Sequence, residues 1–571
     1  MLHVDWGRVP AILFCVVTGL LTGSAQAGEP TFAAHHMVAA ANPFAAQAGL
    51  DLLRRGGSAV DAAIAVQMVL TLVEPQSSGI GGGAFLMHYS RQSKRIDAYD
   101  GRETAPTEAR GDLFLTPAGT PRRFDDAVLG GHSVGTPGVL RMMELAHRSH
   151  GKLPWSDLFL PAIRLAEEGF PVSPRLHESI RTDRMLATFV ETQNYFYDRN
   201  GAPRQAGERL VNRPLADTLR LIAREGADVF YEGPIGRAVV VAVRNAAVNP
   251  GLLSMDDLSA YAAVRRAPLC GVYRLHKVCG MPPPTSGGIA TLQILGLLQP
   301  FDLRNKPLDG ADGTHLLTEA SRLAFADRDR YVADSDFVDV PVAGLLSTGY
   351  LRQRSRLIRP GKSAGVARAG EPPFRRSALY SGDDGGALTG TTHVSIVDAD
   401  GNAVSMTSSV ESPFGSRMMV RGFILNNQLT DFSLAPLRDG VPVANRVEPG
   451  KRPRSSMSPT IVTTGDGRLR LVTGSPGGAR IIGYTVKTIV GVIEQGLDPQ
   501  AAIDLPNILN RNGDTELEKG TAAEALAPLL QARGHRVTVG ELTSGLHTIA
   551  IDQRGLWGGA DRRREGVALG D

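Results

Sequence analysis

The sequence predicts a layered α/β protein that is made as an inactive precursor. Strand-like patterns dominate from residue 391 to about residue 473, and helical patterns precede and follow them, which is typical of sheets packed between helix layers. The first of these strands begins with Gly390-Thr391-Thr392. A threonine hydroxyl is a poor nucleophile unless a base lies beside it, and the nearest base is the residue's own amine, which only a cut at Gly390–Thr391 would free. The position of Thr391 therefore predicts an enzyme that cleaves its own chain.

The composition is that of an ordinary globular protein. The chain has 571 residues, of which 42% are hydrophobic and 21% are charged. This length can supply one large core or about two to four domain-sized units. The formal net charge is +3, with acidic and basic residues interspersed, so nothing indicates nucleic acid or a membrane surface as a partner.

The N-terminus has the pattern of a secretory signal peptide. Arg8 supplies the positive region, and the apolar stretch Ala11 to Leu21 is too short to span a bilayer comfortably. Ala25-Gln26-Ala27 is a small-residue cleavage site, so residues 1–27 are predicted to be removed and the mature chain to begin near Gly28. The predicted location is periplasmic or secreted, without stable membrane insertion. The alternative is a signal that remains as an uncleaved anchor.

The N-terminal half of the chain is predicted to be mainly helical. Alanine-rich periodicity over residues 28–70 predicts helices at Ala45 to Leu53 and Asp61 to Leu72, separated by Gly56-Gly57. Residues 83–89 and 95–99 have strand patterns, and residues 137–230 are mostly helical with proline-containing breaks.

The C-terminal half combines strands with further helices. A hairpin is predicted at 270–281, and helices at 289–298, 311–333, 480–496, 499–505 and 521–533. Strands are predicted at 391–398, 403–408, 420–426, 458–464 and 469–473, with a last strand pair at 546–558. The stretch from about 352 to 390 is polar, basic and rich in glycine. It is predicted to be an exposed, mobile segment, which a processing site requires.

Two of the three cysteines remain after removal of the signal peptide, which contains Cys15. In the predicted hairpin, a turn at Arg274-Leu275 would place Cys270 and Cys279 directly opposite each other. An oxidising compartment would then favour a cross-strand disulfide, and two free buried thiols are the alternative. This pair has no matching Cys/His pair, so it does not indicate a zinc site.

The sequence predicts neither a cofactor nor a metal. Gly79 to Ala84 fits the G-x-G-x-x-A pattern of dinucleotide sites, but it runs from a helix into a strand, the reverse of the required order. His393, Asp100, Glu103 and Asp327 are expected to be structural. We expect no metal-ligand cluster.

Further motifs complete a recognisable set. They are Gly390 to Asp398, Ser408 to Glu411, Asn426 to Phe432, Lys451 to Thr460, Thr473 to Arg480, and Gly101 to Pro106. Together they resemble the γ-glutamyltransferase (γ-glutamyltranspeptidase) family over about residues 35 to 571. The resemblance implies an N-terminal-nucleophile hydrolase fold with four layers, αββα, and autocleavage into a large subunit (28–390) and a small subunit (391–571) that stay associated. The implied activity is removal of the γ-glutamyl group from glutathione and related amides, with water or an amino acid or peptide amine as acceptor.

The resemblance also implies roles for the catalytic residues. Thr391 Oγ attacks the γ-amide carbonyl and forms an ester, while its free α-amine takes the proton. Ser409 stands where threonine is usual and keeps the hydroxyl that hydrogen-bonds the nucleophile. The backbone N–H groups of Gly477 and Gly478 would form the oxyanion hole at a strand-to-helix turn.

The glutamyl end of the donor is a zwitterion, so its site needs opposite charges a few ångströms apart. Arg102 is expected to take the α-carboxylate, helped by the hydroxyls of Ser455 and Ser456. Asp431 is expected to take the α-ammonium, with Gln428 and Glu411 beside it.

Two features depart from the family pattern. Glu411 replaces an asparagine that is common there, and a carboxylate suits an ammonium at least as well, so we interpret it as a subtype change with a potential effect on substrate choice. Residues 433–450 contain no aromatic residue, where some members have a longer, aromatic-bearing lid. This predicts a more open pocket that admits larger γ-glutamyl substrates and more water.

Three alternatives remain open. On the same fold, the protein would be an acylase of glutaryl-type (cephalosporin) amides or a depolymerase of polyglutamate. The expected ammonium site argues against a glutaryl specialist, whose acyl group lacks that amine. The third alternative is an unprocessed, non-catalytic homologue, which predicts a missing nucleophile or missing glycines, and this chain has both.

Overall fold

The computed structural model describes residues 28–373 and 390–571. The predicted signal peptide and residues 374–389 of the predicted processing segment lie outside the described residues. Within the described ranges, no helix combines the length and hydropathy needed to cross a bilayer.

Two seven-stranded antiparallel sheets form the centre of the protein. Sheet I has the spatial order Val567–Gly570, Met37–Ala40, Gly390–Val397, Ala403–Glu411, Gly83–Ser90, Arg95–Gly101, Val264–Arg266. Sheet II has the order Thr31–Ala33, Leu556–Ala560, His547–Ile551, Leu469–Gly474, Thr460–Thr464, His276–Gly280, Leu269–Tyr273. The strand that begins at the predicted cleavage site thus lies between Met37–Ala40 and its hairpin partner Ala403–Glu411.

Helices cover the outer faces of both sheets. The α-helices described are Pro43–Arg54, Ala59–Val73, Phe124–Val128, Val139–His150, Leu160–Glu168, Pro174–Thr182, Val190–Phe196, Arg213–Glu225, Asp228–Tyr231, Pro234–Arg244, Met255–Ser259, Gly287–Leu298, Ala311–Tyr331, Val342–Leu345, Thr348–Ser355, Ile481–Ile493, Pro499–Asp504 and Ala527–Ala532. Short 3-10 turns at Gln428–Asp431 and Gly478–Arg480 border the site described below.

Smaller strand pairs lie outside the two central sheets. They are Phe170–Pro171 with Arg209–Leu210, Met419–Val420 with Phe423–Ile424, and Leu437–Arg438 with Val441–Pro442. Ile508–Asn510, Thr515–Glu518 and Val537–Gly540 form a three-stranded sheet.

Three apolar cores join the layers. One packs helices such as Ala59–Val73 against the outer face of sheet I, and another packs Gly287–Leu298, Ala311–Tyr331 and Ile481–Ile493 against the outer face of sheet II. A third core lies between the sheets and includes Phe85 and Ile461. The predicted four-layer αββα arrangement is confirmed.

The alternation of strand Gly390–Val397 places Thr391 between the two sheets. Val394 and Ile396 belong to the core on the helix side, whereas Ser395 donates a hydrogen bond of 2.8 Å to the carbonyl of His547 in sheet II. Side chains two residues apart share a face of a strand. Thr391 therefore shares the inter-sheet face with Ser395, at the end of the strand where the sandwich opens.

The helical prediction for residues 28–70 is wrong at its beginning. Thr31–Ala33 and Met37–Ala40 are strands, and Val38 pairs with Ile396 in the central sheet. The alanine-rich composition favours helix, but backbone pairing with a strand more than 350 residues away decides the conformation. The following helices, Pro43–Arg54 and Ala59–Val73, confirm the rest of the prediction.

The segment predicted to be exposed from residue 352 is mostly exposed over its described part, 352–373, and is attached to the body of the protein at a few positions. Arg354 is buried and donates to Asp327 at 3.3 Å, and the backbone N–H of Gly370 donates to the same carboxylate at 2.8 Å. Ala367 N–H donates to Asn512 at 2.7 Å. Fourteen of the 22 residues in 352–373 are exposed, so the predicted exposure is confirmed over this part, and these contacts show where the segment is anchored to the body of the protein.

The predicted hairpin at 270–281 is present as strands Leu269–Tyr273 and His276–Gly280 at the edge of sheet II. Cys270 and Cys279 are directly paired across it, and their sulfur atoms are 2.08 Å apart, at bonding distance. Their geometry is that of a cross-strand disulfide.

Candidate active site

Thr391 pairs with Ser409 on the neighbouring strand, next to an irregularity in register between Gly390 and Thr391. The two hydroxyl oxygens are 3.1 Å apart. Ser409 Oγ also donates to the carbonyl of Gly390 at 2.9 Å and accepts the N–H of Glu411 at 2.9 Å. The side chain of Ser409 thus contacts both the hydroxyl of Thr391 and the carbonyl of the peptide bond that precedes it.

The direction of these hydrogen bonds follows from the number of protons available. A serine hydroxyl has one proton to donate, and the Gly390 carbonyl can only accept it. The hydrogen bond between Thr391 and Ser409 must then be donated by Thr391. Ser409 therefore polarises the Gly390 carbonyl while orienting Thr391 Oγ, which is the arrangement that attack of Thr391 on its own preceding peptide bond requires.

A polar cavity opens beside these two hydroxyls. Its lining residues are Arg328, Thr391, Ser409, Glu411, Gln428, Asp431, Arg454, Ser455, Ser456, Met457, Gly478, Ala479 and Ile481. Eight of the ten predicted catalytic and substrate-binding residues are in this list. Arg102 and Gly477 are not, and two arginines that the sequence analysis did not single out are.

One wall of the cavity carries hydrogen-bond acceptors. Gln428 and Asp431 begin and end a single 3-10 turn, and Gln428 Nε2 donates to Asp431 at 3.3 Å. Gln428 Oε1 is buried without a hydrogen-bond partner among the described residues. Glu411 completes the wall. Three oxygen-bearing groups facing one cavity suit a cation with several N–H donors, such as a primary ammonium.

Glu411 is held in an unfavourable conformation. Its φ of 79° lies in the left-handed region, which is uncommon for a residue with a Cβ. The carboxylate accepts hydrogen bonds from Asn427 and from Ser412. Burial, followed by the negative charge of Asp431, raises the pKa of Glu411 to about 8. Glu411 is thus predominantly protonated at neutral pH in the absence of a bound cation.

Another part of the cavity wall carries serine hydroxyls and arginines. Arg328 Nη2 donates to Ser456 Oγ at 2.8 Å and Nη1 donates to Asp329 at 2.6 Å. Arg454 lies 3.9 Å from the same Asp329 carboxylate. With two arginines and one aspartate, this wall carries a net positive charge and suits a carboxylate.

Arg102 lies behind the acceptor wall rather than on the cavity surface. It is fully buried, donates to Asp431 at 2.5 Å and to the carbonyl of Pro453 at 3.1 Å, and lies 3.5 Å from Glu103. It therefore contacts the residue expected to bind the ammonium. For Arg102 to contact a substrate carboxylate directly, its hydrogen bond to Asp431 would have to break.

The predicted oxyanion turn has an unusual backbone. Strand Leu469–Gly474 leads into a 3-10 turn at Gly478–Arg480 and then into helix Ile481–Ile493. Gly477 and Gly478 have φ values of 135° and 58°, which a residue with a Cβ rarely adopts. The turn brings Gly478 to the cavity at the N-terminal end of a helix, where backbone N–H groups point outward.

His393 is buried beside the site and does not line the cavity. Its ring nitrogens hydrogen-bond Thr407 at 2.8 Å and Ser395 at 3.1 Å, and burial lowers its pKa well below the usual value. These contacts agree with the expected structural role.

The fold brings together two groups of histidines and carboxylates that the sequence analysis did not foresee. They are His88, Asp97 and His150, and His315, Glu319 and His535. In the first group the two imidazole rings stack with centroids 3.7 Å apart, so their lone pairs do not converge. In the second, His315 donates to the carbonyl of Arg359 at 2.7 Å and contacts His535 directly at 2.8 Å. We therefore assign a metal to neither group.

Three arginines near Thr391 were missed by the sequence analysis. Arg454 lies inside a recognised motif, directly before Ser455, so proximity along the chain was an available signal. Arg328 comes from helix Ala311–Tyr331 and Arg564 from the C-terminal region. Tertiary packing alone brings these two to the site.

Paired antiparallel sheets between helix layers, with a threonine at the end of a central strand facing the inter-sheet space, define the N-terminal-nucleophile hydrolase class. Residues 45–571 match the family model described as gamma-glutamyltranspeptidase. The glutathione hydrolase proenzyme of Escherichia coli strain K12 is 37% identical over 562 residues, covering 94% of this chain and 91% of that protein. That of Bacillus subtilis strain 168 is 37% identical over 545 residues, with coverages of 94% and 91%. The chain belongs to the γ-glutamyltranspeptidase family.

The structure of a cephalosporin acylase from Bacillus halodurans is also similar. The TM-score is 0.83 at 28% sequence identity, and the match covers 98% of this chain and 99% of the acylase. The same fold is therefore shared with a protein that is named for a different substrate.

Proposed function

We propose that this protein is a γ-glutamyltransferase and glutathione hydrolase that uses Thr391 as its nucleophile. The proposal is supported by the presence of Thr391 in one cavity with two groups of opposite character. Glu411, Gln428 and Asp431 line this cavity with hydrogen-bond acceptors, and Ser456 and Arg328 line it with donors. A γ-glutamyl group has an ammonium and a carboxylate on one carbon and a γ-carbonyl three carbons away, which matches this arrangement.

The proposed reaction begins with cleavage of the precursor. Thr391 Oγ attacks the Gly390 carbonyl, the ester that forms is hydrolysed, and Thr391 becomes an N-terminus with a free amine. In turnover, Thr391 Oγ attacks the γ-carbonyl of the donor while the amine takes the hydroxyl proton. The proton passes to the leaving amine as the amide bond breaks. Water or an acceptor amine then attacks the ester and restores the Thr391 hydroxyl.

The products of cleavage and their location are part of the proposal. Residues 28–390 and 391–571 would form the large and small subunits, joined by the shared sheets. The strand Met37–Ala40 pairs with Gly390–Val397, which supports continued association after the cut. We propose that the protein acts after export directed by residues 1–27, in the periplasm or outside the cell.

A direct assay compares three donors on the purified protein: glutathione, a γ-glutamyl anilide and a glutaryl anilide. The proposal predicts turnover of glutathione and of the γ-glutamyl anilide, with faster anilide release when a peptide amine is added. The glutaryl compound, which lacks the α-amine, should be at least about a hundredfold poorer because buried acceptors remain unpaired. Preference for the glutaryl donor would overturn the proposal and favour the acylase alternative, which the similarity to the cephalosporin acylase supports.

Replacement of Arg102 by alanine is expected to raise KM for γ-glutamyl donors by about tenfold to a thousandfold, because Asp431 loses its buried partner. Self-cleavage should persist, since Arg102 does not contact Thr391 or Ser409. Steady-state kinetics and electrophoresis of the processed chains measure both effects. Arg266→Ala is a control that removes a partly buried arginine, bonded to Asp100 at 2.7 Å, which does not line the cavity. Loss of cleavage in Arg102→Ala alone would show that Arg102 is structural.

The raised pKa of Glu411, about 8 in the empty site, predicts a pH-dependent KM. Binding of an ammonium favours the ionised carboxylate, so at pH 6 binding must release a proton and at pH 8 much less so. KM for the γ-glutamyl anilide should fall as pH rises from 6 to 8, by up to about tenfold per unit. In Glu411→Gln, KM should be flat over this range. A flat KM in the unmodified protein would contradict this assignment.

A further inference from the structure

Arg564 makes a direct contact with the residue proposed as the nucleophile. Its Nη1 donates a hydrogen bond of 2.9 Å to the backbone carbonyl of Thr391, and its side chain is buried. The aliphatic part of the side chain packs closely on Gly545, where an added Cβ would lie 2.8 Å from Arg564 Cδ. The guanidinium is therefore held in a fixed position next to Thr391, and Arg564 does not line the substrate cavity.

The charges around Arg564 leave it a cation at neutral pH. Burial, followed by the charge of Arg175, lowers its pKa to about 9, while Glu74 and Asp561 act in the opposite direction. Arg175 is itself bonded to Glu74 at 2.6 Å. Asp561 lies next to Arg563, at 3.2 Å. Glu74 and Asp561 are thus each paired with another arginine. Because neither carboxylate is left to neutralise Arg564, this side chain remains positively charged.

The carbonyl oxygen and the nitrogen of one residue in an extended strand are about 3 Å apart. A guanidinium bonded to the carbonyl of Thr391 therefore lies within roughly 6 Å of the nitrogen that cleavage converts into an amine. A cation at this distance disfavours the protonated form of an amine. The amine must be neutral to accept the hydroxyl proton, and an unperturbed α-amine is half protonated at about pH 7.7 to 8.0.

We propose that Arg564 is a positioning residue that fixes the backbone of Thr391 and keeps its α-amine in the neutral form that accepts a proton. This inference rests on the proposed function, because it needs Thr391 to be the cleaved N-terminus. It assigns a role in the reaction to a residue that does not line the substrate cavity.

Other ionisable groups near the amine act from the cavity side or from sheet II. Glu411 and Asp431 favour the ammonium form, although Glu411 is largely protonated below its pKa of about 8. On the sheet II side, burial lowers the pKa of His547 to about 3, so its ring is neutral. Arg328 and Arg454 add positive charge across the cavity. Among these described groups, Arg564 is the cation whose hydrogen bond to Thr391 fixes its distance from the amine.

The test is the pH profile of kcat for a γ-glutamyl anilide, because the bound ammonium keeps Glu411 ionised in the substrate complex that kcat reports; it is recorded for the unmodified protein and for Arg564→Gln, Arg564→Lys and Arg563→Gln. In Arg564→Gln the acidic limb is expected to move up by about one pH unit, with a loss of about tenfold at pH 6. In Arg564→Lys the positive charge is kept on a shorter side chain, so the acidic limb of the pH profile should move up by about half as much. Arg563→Gln removes a neighbouring, partly buried cation that has no hydrogen bond to Thr391, so the acidic limb should stay in place even if the melting temperature falls.

An unchanged acidic limb in a fully cleaved Arg564→Gln protein would overturn the inference. If that variant remains uncut, Arg564→Lys decides: a raised limb supports the inference, and an unchanged limb overturns it. An unmodified protein that is uncut and inactive would instead overturn the proposed function. The two failures are therefore distinguishable.

Discussion

Replacement of Thr391 by alanine is expected to yield a single uncut chain and to abolish turnover, by at least about 10⁴-fold. The variant lacks the hydroxyl that attacks the Gly390 carbonyl, so no new N-terminus forms. It lacks both the nucleophile and the amine that acts as its base, and no other hydroxyl in the cavity can supply both. Electrophoresis, together with release of anilide from a γ-glutamyl donor, measures the two losses.

Thr392→Ala is the matched control for this prediction. Thr392 lies one residue further along the same strand, so its side chain faces the helix layer instead of the inter-sheet space, and it is equally buried. It should be cleaved and active. Thr391→Ser keeps a hydroxyl and should still cleave itself. Robust turnover by Thr391→Ala would exclude the threonine mechanism.

Replacement of Gly477 by alanine is expected to lower kcat by about 10² to 10³-fold with little change in KM. The φ of 135° at Gly477 is unfavourable for alanine, and the added Cβ would lie 2.6 Å from the ring of Tyr484. The turn must shift to relieve this contact, which would move the N–H groups of Gly477 and Gly478 away from the oxyanion. Such donors act mainly on the transition state, so the effect should appear in kcat rather than in KM.

Gly496→Ala provides a control for backbone strain alone. Gly496 has a φ of 70° and nothing within 4 Å of an added Cβ, so the substitution introduces a similar conformational penalty without displacing the turn. Its kcat should match that of the unmodified protein. An unchanged kcat in Gly477→Ala, measured on cleaved and folded protein, would show that this turn does not stabilise the oxyanion.

The elements that the sequence predicted well are those with strong local signals. Helix Ala59–Val73 begins at a capping box formed by Ser58 and Asp61, and such caps are visible in sequence. Strand Gly390–Val397 is rich in β-branched residues. The strands Thr31–Ala33, Met37–Ala40 and Val567–Gly570 were not predicted, because their conformation depends on pairing with partners far away in the chain.

In the candidate site, too, the residues with local sequence signals were predicted, whereas contacts between distant segments were not. Thr391, Ser409 and Asp431 lie in motifs whose residue types reveal their chemistry, and the structure brings them to one cavity. The position of Arg102 behind Asp431 and the contact of Arg564 with Thr391 follow from side-chain packing between distant segments. No local pattern encodes such contacts. The raised pKa of Glu411 is likewise a consequence of burial beside Asp431, which only the folded structure reveals.

The proposed mechanism requires Thr391 to become the N-terminal nucleophile of a processed enzyme. This can be measured by intact mass spectrometry of the purified protein, before and after brief exposure to a slowly released γ-glutamyl donor. We expect two chains, the smaller beginning at Thr391, and a gain of one γ-glutamyl group confined to that chain. A single uncut chain, or acylation at a residue other than Thr391, would contradict this mechanism.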